Sequence, residues 1–200
     1  MIQEKLIERF GDQINAMSCV YIADGENSLR HFLKGKKLDT VIEIGTYQGV
    51  STSILSEYAK KVYAIDIVDL PLRGEIFQYL NIDNVEFYQC QTDFADKEKY
   101  IKNILKNEKV DLVFIDGDHW GEALKQEFDL VSSVKDIIIH DYEQAFPIVY
   151  DFCNNLDDKK YIKESKNLFF KATKKEVKNG SKQKHNTSKR PSSMGIPMYK

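Results

Sequence analysis

A doubly wound α/β fold, a mostly parallel sheet wrapped by helices on both faces, is what this sequence predicts, and three observations predict it. Short β-branched runs alternate with helical periodicity along the chain. The runs lack solvated alternation, as strands buried on both faces do. The last 40 residues break the alternation with two adjacent β-prone segments. Strand-helix repetition at this spacing calls for parallel strands joined by crossover helices, and the closing pair calls for an antiparallel hairpin.

The elements follow in order. Ile2, Leu6, Ile7, Phe10, Ile14 and Met17 recur at helical spacing and predict an amphipathic N-terminal helix. Ser28 to Lys34 predicts a second, with Leu29, Phe32 and Leu33 inward and Gly35 ending it. Val41 to Ile44 is the first strand, and Ser51 is positioned to cap the helix carrying Ile54, Leu55 and Tyr58. Val62 to Ile67 is a second strand, Pro71 breaks the chain, and Glu75 to Leu80 is a short helix. Val85 to Gln89 gives a third strand and Lys97 to Lys106 a helix. Val110 to Asp116 gives a fourth strand, Glu122 to Val131 a helix, Asp136 to Ile139 a fifth strand and Gln144 to Asn155 a helix. Tyr161 to Thr173, with Lys166-Asn167 at its middle, is the hairpin.

Length and composition set the frame. Two hundred residues suit one domain with a real core, and 11 Tyr with 11 Phe belong to a globular chain. No segment has the length of a membrane span and the N-terminus lacks an apolar leader. Cys19, Cys90 and Cys153 are widely spaced and odd in number, which fits reduced thiols and a cytoplasmic setting. The net charge of -2 hides an asymmetry: Lys174 onward holds eight Lys/Arg against the single acid Glu176, leaving 21 basic and 30 acidic side chains in residues 1–173. We expect a domain over 1–173, with 1–35 as a helical cap, and a basic, disordered tail over 174–200. An acidic domain disfavours phosphate backbones, so nucleic acid is not the expected partner.

The densest signal is Val41-Ile-Glu-Ile-Gly-Thr-Tyr-Gln-Gly-Val-Ser-Thr52. A strand tip, a turn with Gly45 and Gly49, and a helix start together form a ligand crevice. Tyr47 stands where a dinucleotide fingerprint has its middle glycine, which argues against a nicotinamide or flavin dinucleotide. Asp66, 21 residues after Gly45, can accept both hydroxyls of a ribose, and Asp93 can reach an adenine amino group. The plainer alternative is that the glycines only allow close strand-helix packing and that Asp66 caps a strand end. At the far side, Phe114-Ile-Asp-Gly-Asp-His-Trp-Gly121 and Ile137-Ile-Ile-His-Asp-Tyr142 end neighbouring strands. They gather Asp116, Asp118, His119, His140 and Asp141 at the edge where ligands bind. Asp118 as a helix cap, His140 as a strand-end hydrogen-bonding residue and Trp120 as a packing residue are the competing structural roles.

This pattern resembles the class I S-adenosylmethionine-dependent methyltransferases. Glu43-x-Gly45-x-x-x-Gly49 looks like their first motif, Asp66 like their ribose-binding acid and Asp93 like their adenine-side residue. The hairpin matches their sixth and seventh strands. The resemblance covers roughly Ser28 to Thr173 and implies a Rossmann-like seven-stranded sheet of order 3-2-1-4-5-7-6. It also implies S-adenosyl-L-methionine contacts at Glu43, Gly45, Thr46, Tyr47, Gly49, Asp66, Asp93 and Asp116. Phe-Ile-Asp-Gly-Asp-His and Ile-Ile-His-Asp-Tyr further resemble methyltransferase family 24, which implies O-methylation of a small polar molecule or sugar. Two mechanisms follow. His119 or His140 acts as general base beside Asp116 and Asp141, or Asp116 and Asp141 with His140 hold Mg²⁺ that acidifies the acceptor hydroxyl. His140 and Tyr142 flank Asp141 where metal-dependent relatives offer a carboxylate or amide, which favours the metal-free base. A methyltransferase-like binding module without catalysis is one rival. A nicotinamide-dependent oxidoreductase is another, set back by the missing glycine triplet and the lack of a Tyr-x-x-x-Lys pair.

Overall fold

The computed structural model describes residues 1–14, 25–90, 94–117 and 122–176. Seven strands form one sheet in the order β3-β2-β1-β4-β5-β7-β6. They are β1 (Leu38–Ile44), β2 (Ala59–Asp66), β3 (Val85–Gln89), β4 (Val110–Ile115), β5 (Asp136–Ile139), β6 (Tyr161–Lys166) and β7 (Phe169–Lys174). The first five run parallel, and β7 inserts antiparallel between β5 and β6. This is the class I methyltransferase architecture expected from the sequence.

Side chains that alternate along a strand feed two separate cores. Val41, Phe114 and Ile138 pack with Leu6, Leu29, Leu55 and Ile76 from α1 (Ile2–Phe10), α2 (Gly25–Leu33), α3 (Val50–Ser56) and α4 (Pro71–Tyr79). Ile42, Ile44, Val113, Ile115, Ile137 and Ile139 face the other way. They meet Ile101, Ile104, Leu124, Phe128 and Val149 from α5 (Phe94–Asn107), α6 (Ala123–Val131) and α7 (Pro147–Asn154). Every residue of β5 is buried, as the absence of polar alternation in its sequence requires.

Several boundaries move, each for a local reason. The N-terminal helix stops at Phe10 because Gly11 turns to φ 54, and a 3₁₀ turn follows over Gly11–Gln13. Ile7 is exposed rather than inward, and Met17 lies outside the described residues. α2 begins at Gly25, ahead of Ser28. β2 spans Ala59–Asp66 rather than Val62 to Ile67. Pro71 and Pro147 open α4 and α7 in their first turns, where a missing N–H costs nothing, instead of standing ahead of one and inside the other. The hairpin turn is Asn167-Leu168, one residue later than expected: Lys166 pairs with Phe169, and Asn167 takes the left-handed φ of 50. Most of the basic tail lies outside the described residues, while β7 carries the domain to Lys174. Among the described residues, no helix is long and apolar enough to cross a membrane.

Candidate active site at the carboxyl edge of the sheet

The turn after β1 is shaped by its neighbours in the chain. Gly45 sits at φ 87, and a Cβ there would lie 2.0 Å from the Asp116 carbonyl oxygen. Gly49, at φ 81, would meet the Arg73 Cγ and the Phe77 ring at 2.8 Å. The plainer role of the two glycines is therefore real: close chain approach demands both, with no ligand needed to explain them. The same contact has a functional consequence, because it presses the tip of β1 against the tip of β4.

Glu43 is fully buried. Its carboxylate accepts hydrogen bonds from Ser51 Oγ at 2.5 Å, from Thr52 Oγ1 and, more weakly, from Thr46 Oγ1 at 3.5 Å. Ser51 thus serves Glu43 and not the helix end, where Gly49 is the capping residue. Burial pushes the Glu43 carboxyl up to about 8, against the opposing pull of the Ser51 and Thr52 hydroxyls; nearby Asp116 and Asp66 push it further. A carboxylate with no exposed surface lies under the turn rather than in the crevice.

Asp66, at the tip of β2, is engaged by backbone. Its Oδ2 accepts the Thr46 and Tyr47 amides at 2.8 and 2.6 Å, and its Oδ1 accepts the Val68 amide at 3.0 Å. A carboxylate offers about four acceptor positions, so about one remains for a ligand hydroxyl, not the two expected. Tyr47 holds φ 45, so this position does call for glycine-like backbone, although a tyrosine occupies it. Gln48 Nε2 donates to the Gln13 carbonyl at 2.8 Å, tying the turn to the N-terminal segment.

The second cluster forms across β4 and β5. His140 Nδ1 lies 2.9 Å from Asp116 Oδ1 and 2.9 Å from Asp141 Oδ1. One ligand atom from each of the three residues falls within 4.8 Å of the others. His140 is buried, and its ring packs edge-on against Phe169 at 4.9 Å; Asp116 and Asp141 are both 17% exposed. Burial alone would lower the imidazole, but the two carboxylates outweigh it and hold the ring up at about 10. At neutral pH it is an imidazolium. Asp141 adopts φ 59, a left-handed backbone that a non-glycine residue seldom takes away from turns and functional sites.

Asp93, Asp118, His119 and Trp120 lie outside the described residues. Three residues that the sequence reading passed over border the site. Arg73 is almost completely buried behind the turn. Half-buried Lys97 pairs with the buried Glu127 at 2.5 Å, and the Glu127 carboxylate lies 3.2 Å from where a Cβ on Gly117 would be. A signal existed. Glu127 falls on the apolar stripe of Leu124, Phe128 and Val131, and Arg73 on that of Ile76, Phe77 and Leu80. A charge on an inward stripe must find a partner.

Residues 42–142, just over half of the chain, match the methyltransferase-domain family 24. The chain belongs to that family. A curated relative, protein-L-isoaspartate O-methyltransferase 1 of Nitrosospira multiformis, is 44% identical over 61 residues, which is 29% of this chain and 25% of the relative. The chain thus spans a quarter of the length of that curated methyltransferase. Among solved structures, the O-methyltransferase from Bacillus cereus in complex with SAH has a TM-score of 0.60 at 17% identity, over 86% of this chain and 90% of that one. A methyltransferase from Geobacter sulfurreducens gives 0.59 at 12% identity, over 86% and 85%. An rRNA methylase from Streptococcus thermophilus gives 0.53 at 18%, over 74% and 93%. At these identities the likeness shows the fold alone.

Proposed function

We propose that this methyltransferase transfers the methyl group of S-adenosylmethionine to an oxygen of a small polar acceptor, a sugar being one candidate. In this reading the cofactor lies over the tips of β1 and β2 and the acceptor over those of β4 and β5. The observation that carries the reading is contiguity. The Gly45 backbone touches the Asp116 backbone, and Asp116 is joined through His140 to Asp141. A cofactor seated on the turn would have its reactive end beside that cluster. Family membership supports S-adenosylmethionine, as does the SAH bound to the Bacillus cereus enzyme. That enzyme and the curated relative are both O-methyltransferases by name, which supports oxygen as the accepting atom.

Each residue has a part. Thr46, Tyr47 and Gly49 form the rim, Asp66 keeps one acceptor position for a ribose hydroxyl, and Glu43 sets the turn from beneath. Asp93 remains the proposed adenine-side residue. Methyl transfer is an in-line displacement, so alignment and a deprotonated acceptor are the main requirements. His140 is poorly suited to be the base, being buried and already protonated. It serves better as the cation that holds two carboxylates close, leaving Asp116, Asp141 or His119 to take the proton.

The same three residues also fit a divalent ion. Their candidate ligand atoms all lie within 4.8 Å of one another, so small side-chain rotations would bring them onto one ion. Two carboxylates and one imidazole suit Mn²⁺ or Zn²⁺ better than Mg²⁺, which prefers oxygen throughout. Asp116, His140 and Asp141 would hold it, and once bound it would lower the pKa of the acceptor hydroxyl.

The folded domain over 1–173 carries this activity, and buried free thiols at Cys90 and Cys153 support a reducing, cytoplasmic setting. The test is methyl transfer from labelled S-adenosylmethionine to a panel of small hydroxyl compounds and sugars, with and without chelator. The reading expects an alkali-stable methylated product. Absence of any S-adenosylhomocysteine binding at millimolar concentration would end it.

A further inference from the structure

Two backbone segments flank Asp66, the glycine turn and the loop leaving β2, and the same two side chains grip both. Asp66 takes the N–H of Tyr47 at 2.6 Å and the N–H of Val68 at 3.0 Å. Arg73 takes the carbonyls of the same residues: its guanidinium donates to Tyr47 O at 2.8 Å and to Val68 O at 3.3 Å from both terminal nitrogens. Each of these residues is therefore held at its donor by an acid and at its acceptor by a cation. The guanidinium is itself fixed, stacked 3.5 Å over the Phe87 ring and bonded to Asp69 Oδ1 at 2.8 Å. Its stem fills the space that a Gly49 side chain would need.

We propose that Arg73 is a positioning residue for the cofactor, acting with Asp66 as a two-sided clamp that holds the rim of the adenosyl crevice in its binding shape before ligand arrives. This rests on the S-adenosylmethionine reading above. Arg73 is 2% exposed and acts through the peptide units of Tyr47 and Val68 rather than by touching the ligand. The clamp has work to do. Tyr47 sits at φ 45, a left-handed backbone that is unfavourable for a residue with a side chain. Left to itself, Tyr47 would relax and turn its peptide group away from Asp66. A rim held in advance spares the ligand the ordering cost that a loose one would impose on binding.

The planar fork matters as well as the charge. Only a guanidinium presents two terminal nitrogens in one plane to carbonyls on different segments while its face stacks on an aromatic ring. Lysine at this position keeps the charge and loses the geometry.

Calorimetric titration with S-adenosylhomocysteine tests this on wild type, Arg73→Lys, Arg73→Met, Asp66→Asn and the double variant Asp66→Asn/Arg73→Lys. All are measured well below their melting temperatures. We expect Arg73→Lys to weaken binding at least about ten-fold, the scale of a lost charge-assisted, geometry-dependent contact. The double variant should lose less than the product of the two single losses, because both act on the same peptide units. Arg73→Met should fall at least as far; should it not fold, the lysine variant and the double variant decide the matter. A lower melting temperature with affinity kept within two-fold, or multiplicative losses in the double variant, would overturn the clamp and leave the cofactor reading standing. No binding by wild type would remove both.

Discussion

The two halves of the sheet edge are built on opposite terms. Around the tips of β1 and β2, titratable side chains are spent on the protein itself: Glu43 on hydroxyls of α3, Asp66 on three amides, Arg73 on two carbonyls. Around the tips of β4 and β5, three titratable groups are turned on one another, with a buried imidazolium between two carboxylates that reach solvent. The first arrangement satisfies its polar groups from within the protein. The second concentrates charge and proton affinity in one place. In the proposed function the first half binds and the second reacts, and substitutions should separate them.

The sharpest separation should come from Asp141→Asn. Loss of a proton acceptor or ion ligand at the transfer end is expected to lower turnover by about 10²–10⁴-fold, while S-adenosylhomocysteine affinity stays within about three-fold. Stopped-time assays of labelled methyl transfer beside calorimetry would read both; equal losses in both would erase the distinction. Gly45→Ala attacks the contact joining the halves. With a Cβ 2.0 Å from a backbone oxygen and φ at 87, it should cost about 4 kcal/mol or more of stability in denaturant unfolding. A cost under about 1 kcal/mol would mean that the two tips are not in fact pressed together.

Asp66→Ala strips the acceptor from three amides and should weaken S-adenosylhomocysteine by about 10–100-fold, at 1.5–3 kcal/mol for a charged hydrogen bond. Turnover at saturating cofactor should suffer less than binding. Unaltered affinity would remove Asp66 from the binding half. Glu43 gives the smallest and most conditional effect. Its folded carboxyl titrates near 8, above the ordinary value of 4.5. The folded state therefore holds that proton more tightly than the unfolded chain does. The stability it contributes is full below about pH 4.5 and is lost as pH rises through about 8. Glu43→Gln should flatten the decline in melting temperature across that window, and an unchanged profile would count against it.

How far the sequence revealed this can be judged residue by residue. β3 and β5 were legible to the residue, because fully apolar or β-prone runs bounded by polar turns leave little room for another reading. Asp116, His140 and Asp141 were legible as a cluster, since strand ends in a parallel sheet bring distant positions together. The direction of Glu43 was not: whether a strand-end carboxylate looks into a crevice or beneath it depends on how α3 leans back to offer Ser51 and Thr52. The surroundings of Asp66 were hidden for a similar reason, because amides carry no sequence signature. Arg73 and Glu127 left a trace as charges on apolar helical stripes, but their partners come from other elements and appear only once the chain is folded.

The most direct test is a crystal structure with S-adenosylhomocysteine bound. The account predicts a ribose hydroxyl at hydrogen-bond distance from Asp66, about 2.5–3.2 Å, with the sulfur facing Asp116 and Asp141. A ligand lying away from the β1–β2 tips, or one whose sulfur points away from that pair of carboxylates, would contradict it.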